Sequence, residues 1–384
     1  MASTSWVRAA AIVGAALTAM AGAAARAEEV AASEAIEWLG EAVIGRGPVG
    51  VEAPVGGLSG LAYDASGDRF FAISDDRSQH GPARIYELSV RLEGGRLADG
   101  GARATGVLEL RGPGGAPYAY DTIDPESLAR TPGGRWIVSS EGQARAGVPA
   151  ALIEFGSDGR WLGELAIPRA FRPRERKGIR NNAALESVAI SPDGRWLFSG
   201  TENALLQDGP PASAGEGSAS RLLRFDLASR RLRATYLYRT EPLAAAPVGD
   251  ELAINGLVDL LALDGERLLA LERSFTAGRG NAIRLFLVDL RGASDVSGVR
   301  RLGRARGVTA AAKKLLLDVS ELGVEPDNLE GIAFGPDLAD GRRTLFMIAD
   351  DNFNPLRQRN QVLAFAVPRG LLEAAPRDGQ ARRP

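Results

Sequence analysis

The chain has no cysteine and a single histidine, His80, among its 384 residues. Without cysteine there is neither a disulfide nor a lipidated cysteine anchor, so the core alone must hold the fold. One histidine excludes zinc centres built on two or three imidazoles of one chain. It also excludes a histidine phosphoenzyme with a second histidine partner, and any Ser-His-Asp triad would have to use His80 itself. Net charge is scarce too: 46 Lys and Arg against 48 Asp and Glu leave −2. That balance gives no electrostatic case for nucleic acid or an anionic membrane as partner. Past the N-terminus no apolar run approaches transmembrane length.

The first 27 residues differ from the rest. "MASTSWVR" carries one positive charge and no acid, an Ala/Gly-rich apolar run follows, and "ARA" ends at Ala27 before Glu28 and Glu29. This pattern reads as a secretory signal peptide over 1–27, the alternative being an uncleaved anchor barely long enough to span. The expectation is a mature protein that is periplasmic or secreted, with no stable membrane insertion. It comprises one domain over 28–367 and a polar C-terminal tail over 368–384.

Glycine is abundant, 47 residues or about one in eight, against a usual share of about 7%. It marks the turns of a recurring unit. Five stretches align: "LSGLAYDASGDRFFAISDD" from 58, "DPESLARTPGGRWIVSSEG" from 124, "LESVAISPDGRWLFSGTEN" from 185, "VDLLALDGERLLALERS" from 258 and "LEGIAFGPDLADGRRTLFMIADDN" from 329. Each is an apolar strand, a turn of hairpin chemistry and a second strand apolar enough to be buried on both faces. Two more strands follow each of the first four hairpins. Only "QVLAFAV" follows the fifth, and "AIEWLGEAVIG" near the N-terminus supplies the missing one. The fold class is therefore all-β, a β-propeller of five four-stranded blades whose ring is closed by an N-terminal strand. Unit spacing of roughly 60 to 73 residues exceeds that of compact blades, about 40–45, so the loops are long. A sixth blade fits if 291–313 hides a degenerate unit, and a β-sandwich is the competing architecture.

Acids flank these hairpins. Residues equally distant from a turn are cross-strand neighbours, so Glu126 with Glu141, Glu186 with Glu202, and Glu330 with Asp350 and Asp351 should emerge on one propeller face. The first unit keeps only Asp75 and Asp76; in the fourth, Asp259 lies one place off register, and Glu272 and Arg273 trail. Two carboxylates about 8 Å apart repel by roughly 2 kcal/mol at an effective dielectric near 20. A ring of them must bind a cation, pair with arginine or hold protons. Any one such acid could instead accept backbone N–H groups from a neighbouring loop. Oxygen donors without His or Cys favour Ca²⁺, or else Mg²⁺, with Asn203 and Asn352 as further carbonyl ligands. The long loops of this face carry Arg77, Arg145, Arg273, Arg279 and Arg357, and "RNN" adds Arg180, Asn181 and Asn182. His80 reads as a loop residue, with general acid or base as its alternative role.

The strings "GLAYDASGDRFFAISDDRS", "EGQARAGVPA", "NALLQDGP", "LALERSF" and "DNLEGIAFGP…ADDNF" resemble the phytase-like ("esterase-like activity of phytase") family of exported bacterial proteins, over about residues 50–367. The resemblance implies a β-propeller and calcium-assisted hydrolysis of phosphate or other esters. It supplies no catalytic residues, and the well-understood alkaline phytases have six blades rather than five. From spacing, the expected cation ligands are Asp76, Glu126, Glu186, Glu330 and Asp351, with Glu141 or Glu202 as general base. Arg77, Arg273 and Asn182 are expected to bind a small anionic or ester substrate. A binding propeller without chemistry and a calcium-dependent lactonase are the alternatives, and the oligomeric state stays open.

Overall fold

The computed structural model describes residues 35–373. The signal-peptide reading of 1–27 and the end of the C-terminal tail lie outside the described residues. Strand β1 (Glu37–Val43) is followed by four complete blades in chain order. Blade 1 holds β2 (Leu58–Asp64), β3 (Arg69–Ser74), β4 (Arg84–Val90) and β5 (Ala102–Glu109). Blade 2 holds β6 (Pro125–Arg130), β7 (Trp136–Ser140), β8 (Ala151–Phe155) and β9 (Trp161–Leu165). Blade 3 holds β10 (Leu185–Ile190), β11 (Trp196–Thr201), β12 (Ala219–Asp226) and β13 (Arg231–Arg239). Blade 4 holds β14 (Ala253–Ala262), β15 (Arg267–Thr276), β16 (Gly280–Asp289) and β17 (Ala312–Asp318). Blade 5 is β18 (Leu329–Phe334), β19 (Arg343–Ala349) and β20 (Gln361–Val367), completed by β1 in antiparallel pairing with β20. The architecture is the five-bladed, N-terminally closed propeller expected from the repeats.

The hairpin turns explain the repeat chemistry. Gly134 and Gly194 sit at φ 77° and 69°, a region that glycine enters without penalty, and their N–H groups bond to Thr131 and Ser191 O at 2.9 and 2.8 Å. Each second strand lies between the first and third strands of its blade, with neighbouring blades packed against its faces. This is why "WIVSS" and "TLFMIA" are mostly apolar and wholly buried. The core is accordingly not one body but five seams, one between each pair of adjacent blades. Phe70 meets Phe346 edge-on at 4.9 Å across the seam of blades 5 and 1. Phe71 meets Trp136 at 4.8 Å across the next.

The insertion between β16 and β17 is not a blade. Val296 N and Ala311 N bond to Thr235 O and Leu237 O at 2.7 and 2.8 Å, so the segment straps the outer edge of β13. Val296 and Leu302 are buried there against Ala204 and Leu237. After β20 a helical turn, Arg369–Leu372, buries Leu372 against the seam of blades 4 and 5. The polar tail read from 368 therefore begins with an anchored turn.

Candidate active site

The inner strands β2, β6, β10, β14 and β18 surround the axis, and the pairing of each with its partner slips at the same place. The register shifts lie at Leu58/Leu61, Pro125/Leu128, Leu185/Ser187, Leu257/Asp259 and Leu329/Gly331. A β-bulge of this kind re-aims a side chain and recurs next to functional sites. The re-aimed residues are Ser59, Glu126, Glu186, Val258 and Glu330. Opposite them, just beyond the pairs Leu58–Ser74, Pro125–Ser140, Leu185–Thr201, Leu257–Glu272 and Leu329–Ala349, come Asp75, Glu141, Glu202, Arg273 and Asp350. Blade 4 thus offers valine and arginine where blades 2, 3 and 5 offer two acids.

The residue after each re-aimed position is small or acidic: Gly60, Ser127, Ser187, Asp259 and Gly331. Asp259 accepts from Ser127 Oγ and Ile332 N, both at 2.9 Å, so it bridges blades 2 and 5 across the axis. Burial pushes its carboxyl up to about 8. Gly331 is needed because a Cβ there would lie 2.2 Å from Ser59 O. Gly331→Ala is therefore expected to destabilise the ring by about 1–3 kcal/mol, seen as a fall of several degrees in the melting temperature. An unchanged melting temperature would contradict this packing.

Above this bridge, eight carboxyl groups crowd one mouth: Asp75, Asp124, Glu126, Glu141, Glu186, Glu202, Glu330 and Asp350. Burial, then mutual repulsion, holds Asp75, Glu126, Glu186 and Asp350 well above the usual carboxylate range. Glu141 is raised to about 8 by burial, despite bonding to Ala184 N and to Glu186. Burial also raises Asp124, Glu202 and Glu330, opposed by Arg77 in the first case and Arg273 in the other two. Arg77 Nε donates to Asp124 at 2.8 Å and its Nη2 to Asn182 Oδ1 at 2.7 Å. Arg273 lies 3.2 Å from Glu330 and 3.5 Å from Glu202, and donates to Asn328 Oδ1 at 2.9 Å.

One corner of the cluster is organised for a cation. Oxygens of Asp75, Asp124 and Glu126 lie within 4.8 Å of one another, and Asp124 Oδ2 is buried with no N–H or hydroxyl donor, facing only the Asp75 carboxyl. Above them opens a cavity of about 1250 Å³, lined by Asp75, Arg77, Glu126, Asn182, Glu186, Arg273, Glu330 and Asp350 among others.

The carboxylates of Asp76 and Asp351 are taken by other partners, although Asp76 also borders the cavity. Asp76 pairs with Arg84 at 2.7 Å, both fully buried, and accepts Gln79 N and His80 N. Asp351 pairs with Arg46 and accepts Gly57 N and Phe353 N. Both carboxylates hold loops in place, and their neighbours Asp75 and Asp350 turn to the mouth instead, because successive residues of an extended chain face opposite ways. Asn203 Oδ1 accepts from Ala212 N at 3.3 Å. Arg180 is spent on the carbonyls of Ala204 and Gly209. Glu272 is bound by Tyr238 and Lys313 at 2.6 Å each, away from the mouth. His80 stacks on Phe353, with centroids 4.1 Å apart. Asp124 opens the second repeat but is not among the ligands expected from spacing, and only its place before "PES" signals it.

Residues 53–353 match the family described as phytase-like, esterase-like activity of phytase. The chain belongs to that family. All the mouth carboxylates of this phytase-like protein fall within the matched stretch, whereas β1 and β20 fall outside it. No curated protein matches the chain. Among solved structures it is similar to an endo-arabinase from Bacteroides thetaiotaomicron, at 12% identity and TM-score 0.43, over 88% of this chain and 98% of that one. It is also similar to the catalytic domain of the Coprinopsis cinerea GH62 α-L-arabinofuranosidase, at 10% identity and TM-score 0.44, over 87% and 98%. A third similarity is to the periplasmic gluconolactonase PpgL of Pseudomonas aeruginosa, at 17% identity and TM-score 0.34, over 81% and 88%.

Proposed function

We propose that this mouth is the active site of an exported, divalent-cation-dependent hydrolase of phosphoesters or other esters. The observation that carries the reading is the Asp75–Asp124–Glu126 corner, with an oxygen of Asp124 that no N–H or hydroxyl reaches. Its donors are all hard oxygens, a set that suits Ca²⁺ and, less closely, Mg²⁺. A cation held there would supply Lewis acidity and lower the pKa of a bound water. Family membership supports ester chemistry, and export rests on the signal-like residues 1–27.

The chain's own groups have distinct tasks. Glu186 faces the cavity and hydrogen-bonds to Glu141 behind it. With a cation bound in place of the cluster's protons, the pair would hold one proton between two carboxyls, so that Glu186 could take up a proton from an attacking water and Glu141 share it. Arg77 is fixed by Asp124 and Asn182 and presents its outer face to an anionic group. Arg273 stands at the floor, where a negative charge developing on the substrate would meet a guanidinium already desolvated. Glu202, locked to Arg273, serves as its anchor rather than as a base.

The test is a panel of aryl phosphates, aryl acetates and lactones assayed before and after chelation. Activity should vanish with chelator and return with Ca²⁺. Glu126→Gln should reduce kcat/KM by about a hundredfold or more and weaken Ca²⁺ binding measured by calorimetry. Full turnover after complete demetallation would defeat the proposal. A protein that binds Ca²⁺ and ligand but turns over nothing in the panel would be a binding propeller.

A further inference from the structure

The acidic floor leaves the rim of the cavity unexplained. Among the described residues seven large apolar side chains are exposed, and three of them line this cavity: Tyr120 at 60%, Leu252 at 63% and Leu356 at 92%. Exposed apolar surface gathered at one mouth marks a contact surface, whereas scattered single residues do not. Phe275 and Phe353 continue the surface from the rim inward.

The chain presents Phe353 under strain. Asn352 and Phe353 both have positive φ, 45° and 51°, a region that side chains other than glycine rarely occupy and that tends to persist at functional sites. Their N–H groups are held by Asp350 Oδ1 at 2.7 Å and Asp351 Oδ1 at 3.1 Å. The same turn therefore puts Asp350 on the floor and an aromatic ring on the wall. Beside this wall, Arg279 and Arg357 line the cavity exposed, with no hydrogen bond or ion pair of their side chains among the described residues.

We infer that the site takes an amphiphilic anionic ester. Its compact charged end meets the floor and the free guanidiniums, and its apolar alkyl, acyl or aryl group lies along Leu252, Phe275, Phe353 and Leu356. The inference rests on the floor being the cation-dependent site proposed above. A compact polyanion would use Arg279 and Arg357 but leave the apolar wall in water. An amphiphile covers both, and gains affinity with every methylene removed from water.

The test uses the Ca²⁺-loaded protein and non-hydrolysable methyl-, butyl- and octylphosphonate, each below its micellar concentration, with Kd read by calorimetry. Kd should fall at least about tenfold from methyl to octyl. The exposed double variant Leu252→Ser, Leu356→Ser should flatten that trend while leaving methylphosphonate binding unchanged. A Kd independent of chain length, an undiminished trend in the double variant, or binding only to vesicles of phosphatidylglycerol would each overturn the inference. Octylphosphonate bound where methylphosphonate is not would keep the apolar wall and remove the cation-dependent floor. Binding of neither would remove both.

Discussion

Arg273→Ala should lower the stability of the cation-free protein by about 3–5 kcal/mol at neutral pH, measured by urea denaturation. Arg273 is a guanidinium set deep among the inner acids, against Glu202 and Glu330. Its removal leaves two buried carboxylates without their counter-charge, and that loss exceeds what an exposed ion pair contributes. The sign of the pH dependence follows. Burial raises both glutamates and Arg273 pulls them down, so the variant's folded-state carboxyls titrate higher than the wild type's. A raised acid contributes stability at low pH and loses it as pH rises. The deficit of Arg273→Ala should therefore shrink as pH falls from 7 towards 5. Lysine at this position should restore part of the loss, since it returns the charge without the two-pronged geometry. A deficit below about 1 kcal/mol, or one that grows in acid, would show that Arg273 does not carry this compensation.

The cation-free protein should also become less stable with rising pH, and Ca²⁺ should remove most of that slope. Glu141 and Asp259 are both held up to about 8, against roughly 4 for unfolded carboxyls. Folding then retains protons that the unfolded chain has released. The stabilisation is full below about pH 4, declines through neutrality and is gone above about pH 8; each such group contributes about 1.4 kcal/mol per pH unit in between. Asp75, Glu126, Glu186 and Asp350, also raised, steepen the decline. A cation bound as proposed would replace protons at the mouth but not at Asp259, which sits in the bridge across the axis. Thermal melts from pH 5 to 9 should thus show a steep slope with chelator and a shallow one with Ca²⁺. Asp259→Asn should remove the shallow remainder. A cation-free melting temperature that is flat or rises across this range would contradict the buried, protonated cluster.

The propeller was readable because its signal is repeated. Turn glycines, apolar second strands and a short last unit all point to the same closed ring, and the missing strand had one place to come from. The site was only half readable. Glu126, Glu186 and Glu330 converge as spacing implied, but through bulges that hydrophobic alternation does not reveal. Their only trace is the small or acidic residue that follows each: Gly60, Ser127, Ser187, Asp259 and Gly331. The doublets Asp75–Asp76 and Asp350–Asp351 hide which member faces in, because a one-residue slip reverses every side chain. Local spacing chose Asp76 and Asp351. The partners that claim them, Arg84 and Arg46, become visible only once the chain is folded. Arg273 stands out in the sequence as an expected substrate contact, but its position in register with four acids emerges only from the pairing.

The closing strand sets a timetable. Within its sheet β1, the first strand of the described residues, pairs only with β20, the last, so its place in blade 5 waits for the far end of the ring. Until then blade 5 is incomplete, the seams on either side of it are open, and the carboxylates of the mouth are not gathered. A chain cut short before β20 lacks the strand that joins β1 to β19, so its ring stays open.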